Sequence, residues 1–311
     1  MRCMEDTGMA NDSHTEYRFD QLLMRMEILN MRPNESSRTA LIPARHRAAH
    51  QVLDGGSILN DPFAMTILGE DEKDVLRFAD EHPLVSTGRL LATARSRIAE
   101  DALSKAVERG TRQIVILGAG LDTFSLRNPH EEWRVRIYEV DHPATQTWKR
   151  QRMAEARLAL PPWLVFVPVD FEQDDLGETL AGVGFQRESP AFFTWLGVVP
   201  YLAQEAIDST LAYMASINNS EVVFDYMEPP EAIPQEVREL VKERAAHLET
   251  IGERWASRFN PADIAAILRS HGFCGVEDLG FQEVASRFGR YVQGLAPGQA
   301  AFGFHVVHAK H

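Results

Sequence analysis

Beyond Gly110 short apolar runs alternate with helical segments, and few folds accept that pattern. The runs are QIVILG (113–118), VRIYEV (135–140), LVFVPV (164–169), AFFTWL (191–196) and EVVFDYM (221–227). Each is too short for a buried helix and rich in β-branched or aromatic residues, so each reads as a strand covered on both faces. Helical stretches at about 143–158, 174–182 and 203–217 separate them. Strand, helix, strand in that order builds a parallel sheet with crossover helices. Pro143 suits the first position of a helix, and Pro161-Pro162 stops the helix before it. A break at EPPEAIP precedes a charged helix, EVRELVKERAAHLETIGERWASRF, and Asn260-Pro261 opens a further one, DIAAILRSHG. GVEDLG and AFGFHVVHAK supply the last strands. Residues 111–311 are therefore expected to form an α/β, Rossmann-like, mostly parallel, doubly wound sheet, with a helical insert at about 229–259.

Residues 1–110 read as a separate helical extension. SRTALIPARHRAAHQVLD closes at Gly55-Gly56, DPFAMTILG carries Pro62 at its start, and ATARSRIAEDALSKAVERG ends at Gly110. Met24, Met26, Met31, Phe63 and Met65 would make this region an apolar lid over a site on the sheet.

In an open parallel sheet, ligands sit beyond the carboxyl ends of the strands, where strand order reverses. The residues at those ends are thus the informative ones. The first strand runs into Gly118-Ala119-Gly120, whose missing side chains would let a ligand approach the backbone. About 20 residues on come Glu139 and Asp141, the usual distance for an acid that grips ribose hydroxyls. The third strand ends in Asp170, followed by Phe171. A dinucleotide would bring a pyrophosphate, which needs a helix N-terminus and a third glycine. Here Thr123 stands where that glycine belongs and Asp122 opens the helix. A carboxylate ~5 Å from a phosphate costs several kcal/mol. S-adenosylmethionine carries a sulfonium, an ammonium and no phosphate, so a pocket holding Asp122, Glu139, Asp141 and Asp170 suits it better than a nicotinamide cofactor. Asp122 can also act simply as a helix cap.

Ordered motifs extend the argument beyond one turn. QIVILGAGLDTFSLR, YEVDHPATQTWKRQRM, FVPVDFEQDDL and WLGVVPYL resemble the leucine carboxyl methyltransferase family, in particular its bacterial branch that includes polyketide O-methyltransferases. Upstream, SRTALIPARHRAAHQVLDGGSILNDPFAMTIL and TARSRIAEDAL resemble the same branch, so coverage runs from about Ser37 to Tyr226. The resemblance implies a seven-stranded methyltransferase sheet and S-adenosylmethionine as methyl donor. It also implies roles for single residues. Arg95 would pair with the donor's methionine carboxylate, and Gly118, Ala119 and Gly120 would form the donor-binding turn. Asp141 would hold the ribose, with Glu139 behind it, while Asp170 and Phe171 would hold the adenine. One departure stands out: eukaryotic members carry a glutamate just before the position of Gly197, and this chain has Leu196. Donor contacts survive that change, but the acceptor pocket differs, and methylation of a phosphatase C-terminal leucine does not follow.

The expected function is an O-methyltransferase acting on a carboxyl or hydroxyl of a small molecule, polyketide-like acceptors among them. A nicotinamide-dependent oxidoreductase and a donor-binding protein without turnover are the alternatives. For a hydroxyl acceptor a general base would help, and His142, Tyr201 and Tyr226 are candidates, though structural roles suit each better. His46, His50 and Asp54 share helical spacing that could bind a metal, but a solvated helix face is the better reading. The chain lacks HExxH, GxSxG and CxxC.

Charge and cysteine count exclude further classes. With 32 basic against 45 acidic side chains, the net charge is −13 and no basic run offers itself to nucleic acid. No window approaches the ~18 apolar residues of a membrane span, and the N-terminus lacks a signal-like apolar stretch. Two cysteines, Cys3 and Cys274, fit a reducing compartment, hence the cytoplasm. Oligomeric state is left open.

Overall fold

The structure is a computed structural model that describes residues 38–81, 85–171, 173–235, 238–239, 242, 246, 255–295 and 303–311. Residues Ser36–His311 belong to one compact unit. The Met24, Met26 and Met31 part of the expected lid, and most of the charged helix after EPPEAIP, lie outside the described residues.

Seven strands form one sheet in the order β3-β2-β1-β4-β5-β7-β6. They are β1 (Gln113–Leu117), β2 (Arg136–Asp141), β3 (Leu164–Pro168), β4 (Ala191–Trp195), β5 (Glu221–Met227), β6 (Gly275–Gly280) and β7 (Phe304–Lys310). β1 pairs in parallel with both β2 and β4, and β7 runs antiparallel between β5 and β6. The chain moves outward from β1 through β2 to β3, then returns to β4 on the other side of β1. The reversal therefore falls between β1 and β4, as the doubly wound reading requires.

The described helices are α1 (Arg38–Asp54), α2 (Ala64–Leu68), α3 (Glu72–Glu81), α4 (Val85–Glu108), α5 (Phe124–Arg127), α6 (Pro143–Glu155), α7 (Leu176–Gly182), α8 (Gln204–Ala215), α9 (Pro261–Ser270) and α10 (Phe281–Phe288). One sheet face buries Leu117, Val140, Trp195 and Phe224 with Leu180 of α7, Leu211 of α8 and Ile264 of α9. The other buries Ile116, Ile137, Phe192 and Val223 with Leu90, Ala94 and Leu103 of α4 and Val284 of α10. Strands covered on both faces explain the unbroken apolar runs of the sequence.

The His46–His50–Asp54 series corrects the sequence reading. This is not a solvated helix face: His46 and His50 are buried, and the Asp54 carboxylate is out of contact with water. His50 Nδ1 lies 2.9 Å from Asp54 Oδ2, and His50 Nε2 accepts the Ile58 amide at 3.0 Å. Arg89 of α4 donates to Asp54 through Nε at 2.8 Å, and the Gln293 amide adds a bond of 2.8 Å. The cluster joins α1, α4 and the segment after α10, and among the described residues no group of three metal-ligating side chains forms. Burial pushes the Asp54 carboxyl upward, but His50, the Gln293 amide and Arg89 outweigh it and hold it below the usual value. A depressed folded-state pKa stabilises above the unfolded value near ~4 and loses that stabilisation as pH falls through the folded one. D54N is therefore expected to be less stable than the parent at pH 7 by about 2 kcal/mol, with the gap closing below about pH 3. Urea unfolding across pH 3–8 checks this, and a gap independent of pH would refute it.

Candidate donor site at the strand ends

After β1 the backbone turns through Gly118 at φ +65° and Gly120 at φ +46°, both left-handed and suited to glycine. The Gly118 and Ala119 amides donate to Val140 O of β2, and the Gly120 amide donates to Asp141 Oδ2 at 2.5 Å. Asp141 Oδ1 accepts the His142 amide at 2.7 Å. Both oxygens of this half-buried carboxylate are thus oriented by backbone at the mouth of β2. Burial raises the Asp141 carboxyl, against the pull of these two amides.

The space beside the glycines is not open in the way the sequence suggested. A Cβ on Gly118 would stand 2.3 Å from Val198 Cγ2, and one on Gly120 would stand 3.0 Å from Ala40 Cβ of α1. The protein itself approaches the backbone there, from the turn after β4 and from the start of α1.

Asp122 precedes a helix of only four residues, α5, and its Oδ1 accepts the Phe124 amide at 2.7 Å. The cap role holds. A single turn offers little of the dipole a pyrophosphate needs, which disfavours the nicotinamide alternative. Burial works upward on Asp122, yet Arg47, Lys149 and Arg127 hold its carboxyl below the usual range. Arg47 Nη2 also donates to Leu121 O at 2.7 Å, and the buried Thr123 hydroxyl donates to Asp61 at 2.7 Å. Arg127 grips Glu100 of α4 through two nitrogens at 2.6 and 2.8 Å. The position where a dinucleotide fold has glycine is here tied into a buried ionic network.

Glu139 lies deeper than the sequence implied. Its Oε2 is 2.6 Å from Lys149 Nζ of α6, its Oε1 accepts the Ser125 hydroxyl at 2.6 Å, and both charged side chains are 2% exposed or less. It stands behind Asp141 with its oxygens engaged. The acidic ring is therefore largely neutralised within the protein, by Lys149 on Glu139 and by three cations around Asp122. Attraction of a sulfonium to four bare carboxylates does not describe this site.

Beyond β3, Val169 is followed directly by Asp170 and Phe171, both half-buried. Asp170 Oδ2 accepts Gln173 Nε2 at 2.9 Å, and the Asp170 amide donates to Asp174. Phe171 packs on the core beside Val169. Leu196 follows β4 directly and lines, with Ser96, Glu100, Ile116, Asp122 and Thr194, a cavity of about 20 Å³ between α4 and the ends of β1 and β4. That is room for about one water. Arg95 of α4 reaches the same region, where Nη1 donates to Asp225 Oδ2 of β5 at 2.9 Å. Sequence reasoning missed Asp225, Arg47, Glu100, Arg127 and Lys149; Asp225 was visible as a strand-end acid, but nothing pointed to its partner 130 residues away.

His142 caps α6, its Nδ1 accepting the Ala144 amide at 3.2 Å. Tyr226 is buried, donates to Asp278 at 2.7 Å and stacks on His305. Tyr201 lies half-buried in a single turn after β4.

The residues fit S-adenosylmethionine by the chemistry of their groups. A guanidinium faces the strand ends where a carboxylate would lie, Asp141 offers acceptor lone pairs for a diol, and Asp170 with Phe171 pairs an acceptor with a ring. A doubly wound sheet of order 3-2-1-4-5-7-6 with such groups at its reversal is that of a nucleoside-binding methyltransferase. The family model of leucine carboxyl methyltransferase matches residues 40–215. YktD of Bacillus subtilis (strain 168), provisionally named as an S-adenosyl-L-methionine-dependent methyltransferase, is 33% identical over 287 residues, covering 83% of this chain and 93% of that protein. A relative of the same provisional name from Mycobacterium avium (strain 104) is 27% identical over 282 residues, 82% of this chain and 88% of the other. One from Mycobacterium sp. (strain KMS) is 31% identical over 167 residues, about half of each chain. A provisionally named methyltransferase of known structure from Thermobifida fusca YX superposes with a TM-score of 0.53 at 17% identity, over 89% of this chain and 95% of that one, and shares the fold. The chain belongs to the leucine carboxyl methyltransferase family and is a methyltransferase that takes its methyl group from S-adenosylmethionine. Among the described residues no helix is long and apolar enough to cross a membrane.

Proposed function

We propose that the protein transfers the donor's methyl group to an oxygen of a small molecule, and that this oxygen belongs to a carboxylate. When bound, S-adenosylmethionine supplies an electrophilic methyl on its sulfonium. In this reading Arg95 takes the donor's carboxylate, Asp141 the ribose hydroxyls, and Asp170 with Phe171 the adenine. The Gly118-Ala119-Gly120 turn shapes the backbone beneath, Asp122 and Glu139 hold that turn and Asp141 in place, and Leu196 borders the methyl. The helices α1 to α4, before β1, contribute the acceptor side, and the protein works in the cytoplasm.

The commitment of two base candidates elsewhere carries the choice of carboxylate. With Nδ1 of His142 accepting a backbone amide, Nε2 carries the ring proton and cannot take another. Tyr226 donates its proton to Asp278, and burial, the Asp278 bond and Glu228 all raise its pKa, so it does not ionise near neutrality. A carboxylate acceptor, ionised above pH ~5, needs no base; its alignment with methyl and sulfur is what the enzyme provides. With saturating donor and a panel of carboxylic acids and phenols, methyl esters should form at a rate flat between pH 6 and 9. Turnover of phenols alone, rising about tenfold per pH unit, would overturn the carboxylate reading.

A further inference from the structure

Asp225 lies near the end of β5 on the face covered by α4, buried, and its two oxygens serve different elements. Oδ2 accepts Nη1 of Arg95 at 2.9 Å, and Oδ1 accepts the Gly197 amide at 2.5 Å. The two side chains of the ion pair are 14% and 5% exposed. Gly197 sits at φ +74°, and a Cβ there would stand 2.9 Å from Arg95 Nη2. The guanidinium thus lies against bare backbone of the turn after β4, with one carboxylate fixing both. An arginine presents five N–H groups in a planar fork. Asp225 takes one, and among the described residues the Nε–Nη2 edge has no hydrogen-bond partner. That edge has the shape for a second carboxylate.

We infer that Asp225 is a positioning residue for donor binding: it aims the Arg95 guanidinium at the methionine carboxylate and holds the Leu196-Gly197 turn in register with it. The inference rests on the reading that Arg95 receives that carboxylate. Three features make the arrangement directional. A flexible arginine held at one nitrogen keeps its fork in one plane, so less rotamer freedom is lost when the second carboxylate binds. The bare α-carbon of Gly197 lets the fork lie flat on the turn. Because Asp225 is itself nearly sealed from water, it stays in place only while its partners do. A purely structural ion pair would stabilise the fold but would not distinguish a ligand with a carboxylate from one without.

The test uses that distinction. The full chain and its R95A, D225N, D225E and R95A/D225N variants are titrated calorimetrically with S-adenosylhomocysteine and with its decarboxylated analogue, which keeps nucleoside, thioether and amine. The parent should prefer S-adenosylhomocysteine by more than about tenfold, the scale of one charged hydrogen-bonded pair. R95A should abolish the preference, and D225N should cut it about fivefold or more while affinity for the analogue stays within about twofold. The double variant should match R95A alone, as expected of residues acting through one another. If D225N does not fold, D225E, which keeps the charge but shifts the carboxylate by one methylene, should show the same selective loss. Unchanged preference in the Asp225 variants, or equal weakening of both ligands, overturns the inference while leaving Arg95 in its role. Retained preference in R95A instead removes the reading of Arg95, and the two failures are thereby told apart.

Discussion

Replacing Lys149 with methionine is expected to cost the fold about 3–5 kcal/mol, the usual penalty for stranding a buried charge. Its ammonium lies 2.6 Å from Glu139 and is 2% exposed, and Glu139 sits in the sheet interior with Ser125 on its other oxygen. Burial drives the Glu139 carboxyl upward, and Lys149 together with Ser125 opposes it. Without the lysine, Glu139 must either stay charged without a counter-ion or bind a proton on folding. A carboxyl whose folded pKa is raised above its unfolded one, near ~4.3, favours folding fully only below that unfolded value; the advantage fades as pH rises through the folded value. The K149M deficit should therefore grow from pH 5 to pH 8. Adding E139Q should recover most of the loss, because a neutral amide keeps the shape and removes the charge. Urea unfolding of K149M and K149M/E139Q at both pH values decides the matter, and a K149M loss under about 1 kcal/mol at pH 8 would refute it.

That pair also marks the limit of what the sequence discloses. Strand existence was legible, and the ends of the seven expected strands fall within three residues of those observed, because runs buried on both faces have no competing period. Glu139 and Asp141 share a face of β2 by alternation, but alternation says nothing of depth, so the sealed residue and the one at the mouth read alike. The His50–Asp54 cluster was misread for a related reason. Polar residues at helical spacing suggest solvent, and their burial is made tolerable by partners from elsewhere in the chain, Arg89 of α4 and the Gln293 amide. α4 begins at Val85, earlier than its amphipathic stretch implied, with Gly88 inside it. That glycine is a close helix contact and not a breaker: a Cβ there would stand 2.2 Å from the His46 ring. Helix α10 was overlooked although its period is legible: Phe281, Val284, Ala285 and Phe288 recur at helical spacing, and the structure buries Phe281 and Val284.

The glycine turn after β1 yields the second large effect. If Gly118 were present only to admit a ligand, G118A would impair donor binding and leave the free protein as stable as before. The structure points elsewhere, since the added methyl would lie 2.3 Å from Val198 Cγ2 and the residue sits at φ +65°. A left-handed alanine costs about 1–2 kcal/mol, and overpacking against Val198 adds about 1–3. Val198 cannot simply retreat: Gly197 before it is tied to Asp225, and Val199 after it is buried in the core. G118A is therefore expected to lose about 2–5 kcal/mol of stability in the absence of any donor. It should also bind the donor more weakly, because the turn that carries the Gly120 amide to Asp141 shifts with it. Trimming the neighbour separates the two causes. G118A/V198A should regain the packing part of the loss and keep the backbone part, leaving a deficit of about 1–2 kcal/mol. The milder contact at Gly120, 3.0 Å from Ala40 Cβ, should make G120A the less damaging of the two. Thermal melts of donor-free protein give the ranking, and parental stability in G118A would mean that the turn is shaped for the ligand after all.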